Sequence, residues 1–263
     1  MRYGLDVPVD GPYADPRLLA DMAAEAEAAG WDGFFLQDVL ASDDPVAEPW
    51  VSLTAVALRT SRMRIGIMLT PLARRRPWQV ARQAATIDHL SGGRLVFGAG
   101  LGYSALDFTP FGEEWAPRVR AAELDEALDV VAGLWTGSPF SYAGSHYRLA
   151  DVVLRPPPVQ QPRIPIWVAA GWPRRKPLAR AARWDGVYLM TVDQTTGEML
   201  TPDDIAAVRA LLPAGRAVAF NAVRDRSEPK AFADAGADWG IELAEAGAGP
   251  DAYRARMRAG PPT

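Results

Sequence analysis

The sequence predicts an α/β fold, a single closed (β/α)8 barrel running through residues 1–263. Three observations predict it. Short, almost wholly apolar runs such as residues 65–69 (IGIML) and Leu95–Gly100 are those of strands buried on both faces. Each run is followed by a segment whose apolar residues recur at helical spacing, so the strands are joined by crossover helices and lie parallel. Eight such strand–helix pairs fit within the 263 residues. An open doubly wound sheet is the structural alternative, and the count of eight favours closure.

Residues 2–9 read as strand one, and residues 15–29 as a helix with Leu19, Met22, Ala23 and Ala26 on one face. Residues 33–37 (GFFLQ) are strand two and residues 49–60 helix two. After strand three at 65–69, Pro77 takes the first position of a helix, which its fixed φ favours. Val80, Ala84 and Ile87 form that helix's inner face, and Gly92-Gly93 ends it in the left-handed cap conformation. Strand four is Leu95–Gly100, followed by a helix over 117–135 with Leu124, Leu128, Val131 and Trp135 as its stripe. The long connection 137–163 contains SYAGSHYRL and then RPPPVQQP, a short hairpin and a proline-rich crossing before strand five. It joins a helix to a strand, so it is expected at the N-terminal face, with His146 as a structural residue. Strands five to eight fall at 164–169, 186–190, 216–221 and 238–243, and their helices at 175–184, 202–212, 228–235 and 251–258.

The composition, 49% hydrophobic and 23% charged, is that of an ordinary globular chain long enough to bury a large core. A net charge of −4 argues against nucleic acid or an anionic membrane as partner. The absence of cysteine excludes disulfides, thiolate nucleophiles and iron–sulfur ligation, and two histidines cannot build a His-rich metal site. Residues 2–9 read as strand and not as a leader, and no run of about 18 apolar residues occurs, so the expected location is the cytoplasm.

Chemistry in such a barrel collects at the strand C-termini. Those ends offer Asp6, Asp38, Thr70 with Arg74–Arg76, residues 100–103, residues 169–174, residues 190–193 (Met190 to Asp193), Asn221 and Glu242. The set is poor in acids and bases and rich in glycine, apolar surface and arginine, as suits a large planar anionic cofactor that carries its own reactivity. Gly98, Gly100 and Gly102 alternate as GAGLG. This either lets a ligand approach the backbone or serves tight packing. In AAGWPRRKP, Arg174, Arg175 and Lys176 crowd the first turn of a helix, where free amides and the helix dipole favour an anion. A bound phosphate explains them better than a solvated cluster does. Tyr13, Trp50, Tyr103, Phe108, Phe111, Trp115 and Trp239 are candidates for an apolar substrate wall, of which about half are expected to face it.

These pieces carry a resemblance. AEAAGWDGFFLQD, GIMLTPLARRRPW, ATIDHLSGGRLVFGAGLG, RPPPVQQPRIPIWVAAGWP, RAARWDGVY and ADWGIEL, in this order, resemble the bacterial luciferase-like family of flavin- and deazaflavin-dependent oxidoreductases. The family fold is a (β/α)8, or TIM, barrel, in agreement with the strand count. The resemblance implies that Asp38 lies beside the isoalloxazine-like ring, that Ile67 and Met68 form a bulge with a non-proline cis bond under it, and that Thr70 touches ring or ribityl chain. It implies that Gly102 lines the ribityl side, with Gly100 beside it, and that Ala170, Gly171 and Trp172 clamp the phosphate, helped by Arg174. Members that oxidise sugar phosphates carry a histidine after the strand-two acid and a glutamate after the GxG turn. Here Val39 and Tyr103 stand there, which speaks against that substrate class.

The leading reading is therefore an oxidoreductase in which reduced coenzyme F420 passes hydride to an activated double bond or imine of a small organic substrate. Arg74 and its neighbours would meet the acidic tail of the coenzyme, and Asp38 or Tyr103 would supply a proton. The alternatives are an FMN-dependent monooxygenase served by a flavin reductase, and a barrel that binds a flavin or ligand without turnover. The resemblance also implies a homodimer. Trp50, Val51, Leu53, Val56, Ala57 and Leu58 cover more than one face of helix two, and Ala81, Ala84 and Ala85 on helix three permit close approach.

Overall fold

A computed structural model describes residues 1–192, 199–222, 229–244 and 249–262. Along the chain run β1 (Arg2–Val7), α1 (Pro16–Ala28), β2 (Gly33–Leu36), α2 (Pro49–Arg59), β3 (Arg64–Pro71), α3 (Pro77–Ser91), β4 (Leu95–Gly100) and α4 (Pro117–Leu134). The hairpin β5 (Phe140–Ala143) and β6 (Arg148–Val152) comes next. Then follow β7 (Ile166–Trp172), α5 (Arg175–Ala181), β8 (Gly186–Thr191), α6 (Pro202–Leu211), β9 (Ala217–Ala222), α7 (Pro229–Asp234), β10 (Trp239–Leu243) and α8 (Pro250–Arg258). Among the described residues, eight parallel strands close in the order β1-β10-β9-β8-β7-β4-β3-β2. The predicted barrel is thus the observed one. The expected helix start at Glu228 and the site candidate Asp193, which follows strand six, lie outside the described residues.

Proline opens seven of these α-helices, α5 being the exception among those described. Its missing N–H costs nothing where no intrahelical partner exists. α3 ends as expected on Gly92, at φ 67°. Strand five begins two residues later than predicted because Pro165 has no N–H for the ladder. Its carbonyl instead accepts from the Phe97 amide at 2.9 Å.

The barrel interior is filled, not hollow. Phe35, Trp167 and Trp239 meet ring to ring in its N-terminal half, with centroids 6.1, 6.1 and 5.5 Å apart. A Cβ on Gly33 would stand 2.7 Å from the Phe35 ring, so a glycine there is what admits the aromatic. Met68, Tyr188 and Ile241 join the same interior cluster. The outer cluster is larger. It seats Leu19, Met22, Leu53, Val80, Leu124, Leu128 and Val131 of the first four helices against the outward faces of the strands.

The connection before β7 departs from expectation. The hairpin does not stay at the N-terminal face but climbs the outside of the barrel along α4. Glu126 accepts hydrogen bonds from the amides of Ser145, His146 and Tyr147 at 2.8–3.0 Å, and Tyr147 packs edge-on against Trp78 in the first turn of α3. The proline-rich segment then crosses beneath the barrel as predicted. There the Pro157 carbonyl meets His89 Nε2 at 2.7 Å, and buried Asp88 accepts from the Gln160 amide and side chain.

Candidate functional site at the strand C-termini

Strand alternation sorts the residues at the C-terminal face into those that look into the barrel and those that look away. On β1 and β2, Gly4 and Phe35 are interior, which turns Asp6 and Gln37 inward and Asp38 outward. Asp6 is 3% exposed. Its Oδ2 accepts from the Tyr188 hydroxyl at 3.2 Å, across two intervening strands, and the Gln37 side chain lies beside it on β2. Its Oδ1 is buried with no hydrogen-bond partner, as is Oδ1 of Asn221 on β9. Burial pushes the Asp6 carboxyl up from 3.8 to about 7, outweighing the Tyr188 hydroxyl and the Gln37 side chain, which favour its ionised form. Burial also raises the Tyr188 phenol well above its ordinary value, and the neighbouring Asp6 adds to this.

β3 breaks its register beside this acid. Ile67 pairs with Phe97 and Thr70 with Ala99, so Met68 and Leu69 together face Gly98, which is a bulge. The bulge was expected, but its cis bond is Met68–Leu69 and not Ile67–Met68. The two residues that oppose Gly98 are the pair that carries the irregularity, while Ile67 stays in register and buried at 1% exposure. Gly98 is required here, since a Cβ would lie 2.3 Å from the Ile67 carbonyl oxygen and 2.6 Å from Met68 Sδ. At Gly100 a Cβ would meet Leu69 Cβ at 3.2 Å. At Gly102, φ +88°, it would run into the Phe108 ring at 2.5 Å. All three glycines make room for protein atoms, so the packing explanation of GAGLG has direct support.

The other expected ring contacts are also placed differently. Thr70 is wholly buried and pairs with outward-facing Ala99, so its side chain points away from the barrel axis. Asp38 is the shared counterion of Arg74 at 2.6 Å and Arg75 at 2.8 Å, with its own side chain fully buried and that of Arg74 3% exposed. Both arginines are consumed in this pair, and Arg75 also reaches Glu48 at 3.3 Å. Of the ARRRP loop only Arg76 is exposed.

The aromatic candidates separate. Trp50 lies outside the barrel, 6.0 Å from the Phe97 ring, and lines a surface groove of about 500 Å³ between α2 and α3. Trp239 opens β10 and plugs the opposite end. Neither belongs to a substrate wall at the C-terminal face. In both cases an apolar residue was readable but not the face it takes. Tyr13 is buried in the outer core. Phe108 and Trp115 pack at 5.2 Å in the β4–α4 connection, with the Arg120 guanidinium 3.5 Å above the Trp115 ring and donating to the carbonyls of Leu101 and Gly102. Asp107 joins this connection to the loop after β2 by accepting from the amides of Leu40 and Ala41. Tyr103 and Phe111 stand on the rim, 77% and 55% exposed.

On the far side of the face, Ala170 is buried and Gly171 and Trp172 are partly covered, while Arg174, Arg175 and Lys176 are all exposed. The Trp172 indole donates to Asp204 Oδ1 at 2.8 Å, which ties the end of β7 to the first turn of α6. The predicted strand-end acid Glu242 faces outward and pairs with Arg256, so it is structural. Asp6, by contrast, was one strand end among several in the sequence and had no assigned role. Gln37 and Tyr188 were missed altogether, although the period of two from Phe35 and from Gly186 turns both inward.

Comparison with known proteins adds three findings. The sequence profile of the family described as luciferase-like monooxygenase matches residues 4–236. An F420-dependent glucose-6-phosphate dehydrogenase of Nakamurella multipartita is 34% identical over 172 residues, 62% of this chain and 49% of its own, so the chain spans about half the length of the curated relatives it matches. Among solved structures, an F420-dependent secondary alcohol dehydrogenase in complex with an F420–acetone adduct superposes with a TM-score of 0.76 at 17% identity over 98% of both chains. A riboflavin lyase with modified FMN and riboflavin superposes with a TM-score of 0.71 at 16% identity, over 85% of this chain and 62% of its own. At these identities the two structures speak to the fold alone.

Proposed function

Because the chain belongs to the luciferase-like monooxygenase family, we propose that it is an oxidoreductase in which reduced coenzyme F420 delivers hydride to a small organic acceptor with an activated double bond or imine. One observation carries the reading: the inward residues at the strand ends form an apolar floor, Met68, Leu69 and Met190, interrupted by the buried acid Asp6 and the half-buried amide Asn221, each with one covered oxygen that has no partner among the described residues. Such a floor fits a planar ring with a polar edge. When bound, the deazaflavin supplies the hydride; the chain supplies binding, orientation and dryness. The Met68–Leu69 bulge would support the ring, and Gly171, Trp172 and the exposed Arg174 would hold the phosphate.

The curated relatives favour F420 as the cofactor, but Val39 and Tyr103 set this site apart from the sugar-phosphate pattern described above. FMN with a partner reductase is the alternative, since the phosphate end suits either cofactor. The acidic-tail argument for F420 now rests on Arg76 and on the Arg174–Lys176 group, because Arg74 and Arg75 are held by Asp38. We therefore read Asp38 as the counterion of these two arginines. We read residues 1–263 as one barrel domain of a cytoplasmic enzyme. No helix among the described residues is long and apolar enough to cross a membrane.

Equilibrium titration with F420 and with FMN tests the reading: micromolar or tighter binding of F420 supports it, and binding of neither cofactor contradicts it. Arg174→Ala is expected to weaken cofactor binding by about 1–3 kcal/mol, as for a lost charged hydrogen bond. Unchanged affinity would make the cluster a solvated helix start.

We also infer a homodimer through α2 and α3. Val51 and Leu58 are 64% and 69% exposed beside the α2–α3 groove, an apolar surplus of the kind interface cores bury. Ala81, Ala84 and Ala85 are already buried within the chain and contribute nothing to it. Light scattering at micromolar concentration should give twice the chain mass, and a monomer would refute the dimer.

A further inference from the structure

Asp6 is a buried carboxyl at the site to which the reading above gives no role. It sits on the inner wall at the C-terminal end of β1, where it interrupts the apolar floor on which the cofactor ring would lie. One of its oxygens is tied to the Tyr188 hydroxyl, and the other is buried and has no partner. Among the described residues no cation pairs with it. Facing it are Tyr188 from β8, through its hydroxyl, and the neutral side chain of Gln37 from β2. On β10 the Glu242 carboxylate turns outward to Arg256, and on β1 itself Arg2 lies at the other end, over the Trp239 ring. Tyr253, the remaining titratable group that acts on Tyr188, has its hydroxyl on the Glu242 carbonyl. A purely structural carboxylate would be paired, as Asp38 is. An unpaired buried carboxyl is cheap to keep only as the neutral acid, with a proton to give.

We propose that Asp6 is the proton donor of the reaction, giving its proton to the atom that receives the electron pair when hydride reaches the neighbouring carbon of the acceptor. The inference rests on the hydride-transfer reading above. In the step, the π bond of an activated C=C or C=N breaks and a C–H bond forms from the hydride. The electron pair moves to the far atom, which takes the proton from Asp6. The acceptor is reduced by two electrons and the deazaflavin is the reductant. The Asp6 carboxylate then regains a proton from solvent. Tyr188 and Gln37 are positioning residues, and they also keep the acid from becoming too weak to release its proton.

The test combines a titration without cofactor and a kinetic profile with it. In carbon-13 NMR of the aspartate-labelled chain alone, one carboxyl should titrate near pH 7, and the signal should vanish in Asp6→Asn. With reduced F420 and an α,β-unsaturated ketone, the wild-type single-turnover rate should fall as pH rises through about 7. In Asp6→Asn the rate should drop roughly 100- to 1,000-fold and lose that limb, with F420 affinity kept. Tyr188→Phe removes a hydrogen bond that favours the carboxylate, so both the NMR titration and the rate limb should move to higher pH. It carries the test if Asp6→Asn fails to fold. An Asp6→Asn variant with wild-type rate and pH profile, or a Tyr188→Phe limb at the wild-type pH, overturns the proposal while leaving the hydride-transfer reading standing. A wild-type chain that binds F420 but transfers no hydride overturns both.

Discussion

Asp38→Ala is expected to cost about 3–5 kcal/mol of folding stability, the range for removing one partner of a buried ion pair. The carboxylate sits between two guanidiniums at 2.6 and 2.8 Å. Without it, Arg74 and Arg75 face each other where water scarcely reaches, and among the described residues only Arg75 keeps another carboxylate, Glu48 at 3.3 Å. Glu48 supplies the control. Its side chain is 44% exposed, so Glu48→Gln should cost less than about 1 kcal/mol. Urea unfolding at neutral pH compares the two. Equal costs would show that the Asp38 cluster is not the desolvated counterion site described here.

Asp6→Asn is expected to change how stability depends on pH, by an amount of similar size. The folded state holds the Asp6 proton up to about pH 7, whereas the unfolded chain releases it near 3.8. Between these values the folded state binds more protons, so this group makes stability fall as pH rises. At about 1.4 kcal/mol per pH unit the loss reaches about 4 kcal/mol by pH 7 and is constant above it. Asparagine does not titrate. The stability of Asp6→Asn relative to wild type should therefore shift in the variant's favour by up to about 4 kcal/mol between pH 4 and pH 7. Urea unfolding of both proteins at several pH values measures the difference, and a difference that does not vary with pH would show that the carboxyl is ionised in the fold.

The barrel was legible because its strands are buried on both faces and its helices on one. The first condition makes runs such as Leu95–Gly100 uninterrupted, and the second gives the 3.6-residue stripe of α4. The prolines opening α1 to α4 mark the turns of direction. The same all-apolar character hid the details of the site. In a run such as IGIML no polar residue reports which side chain turns inward, so the bulge was placed one residue early and Thr70, just after it, on the wrong face. Trp50 and Trp239 were misplaced for the same reason, since tryptophan suits a plug, an outer core or a ligand wall equally well. The arginines of the ARRRP loop were read as free because their partner lies 36 and 37 residues away, a separation that spacing does not report. Asp6 was recoverable in principle. Gly4 and Asp6 alternate on a strand whose glycine makes room for an interior ring, and that places the acid inside the barrel.

The most direct measurement is a single turnover. The chain is loaded with reduced F420 and mixed with an α,β-unsaturated ketone, once without oxygen and once in air, while cofactor oxidation is followed. Rapid oxidation that requires the ketone and proceeds equally in both cases, with one reduced product formed per cofactor, is the predicted result. Oxidation that requires oxygen, or that occurs only when reduced FMN replaces F420, would contradict hydride transfer from a deazaflavin.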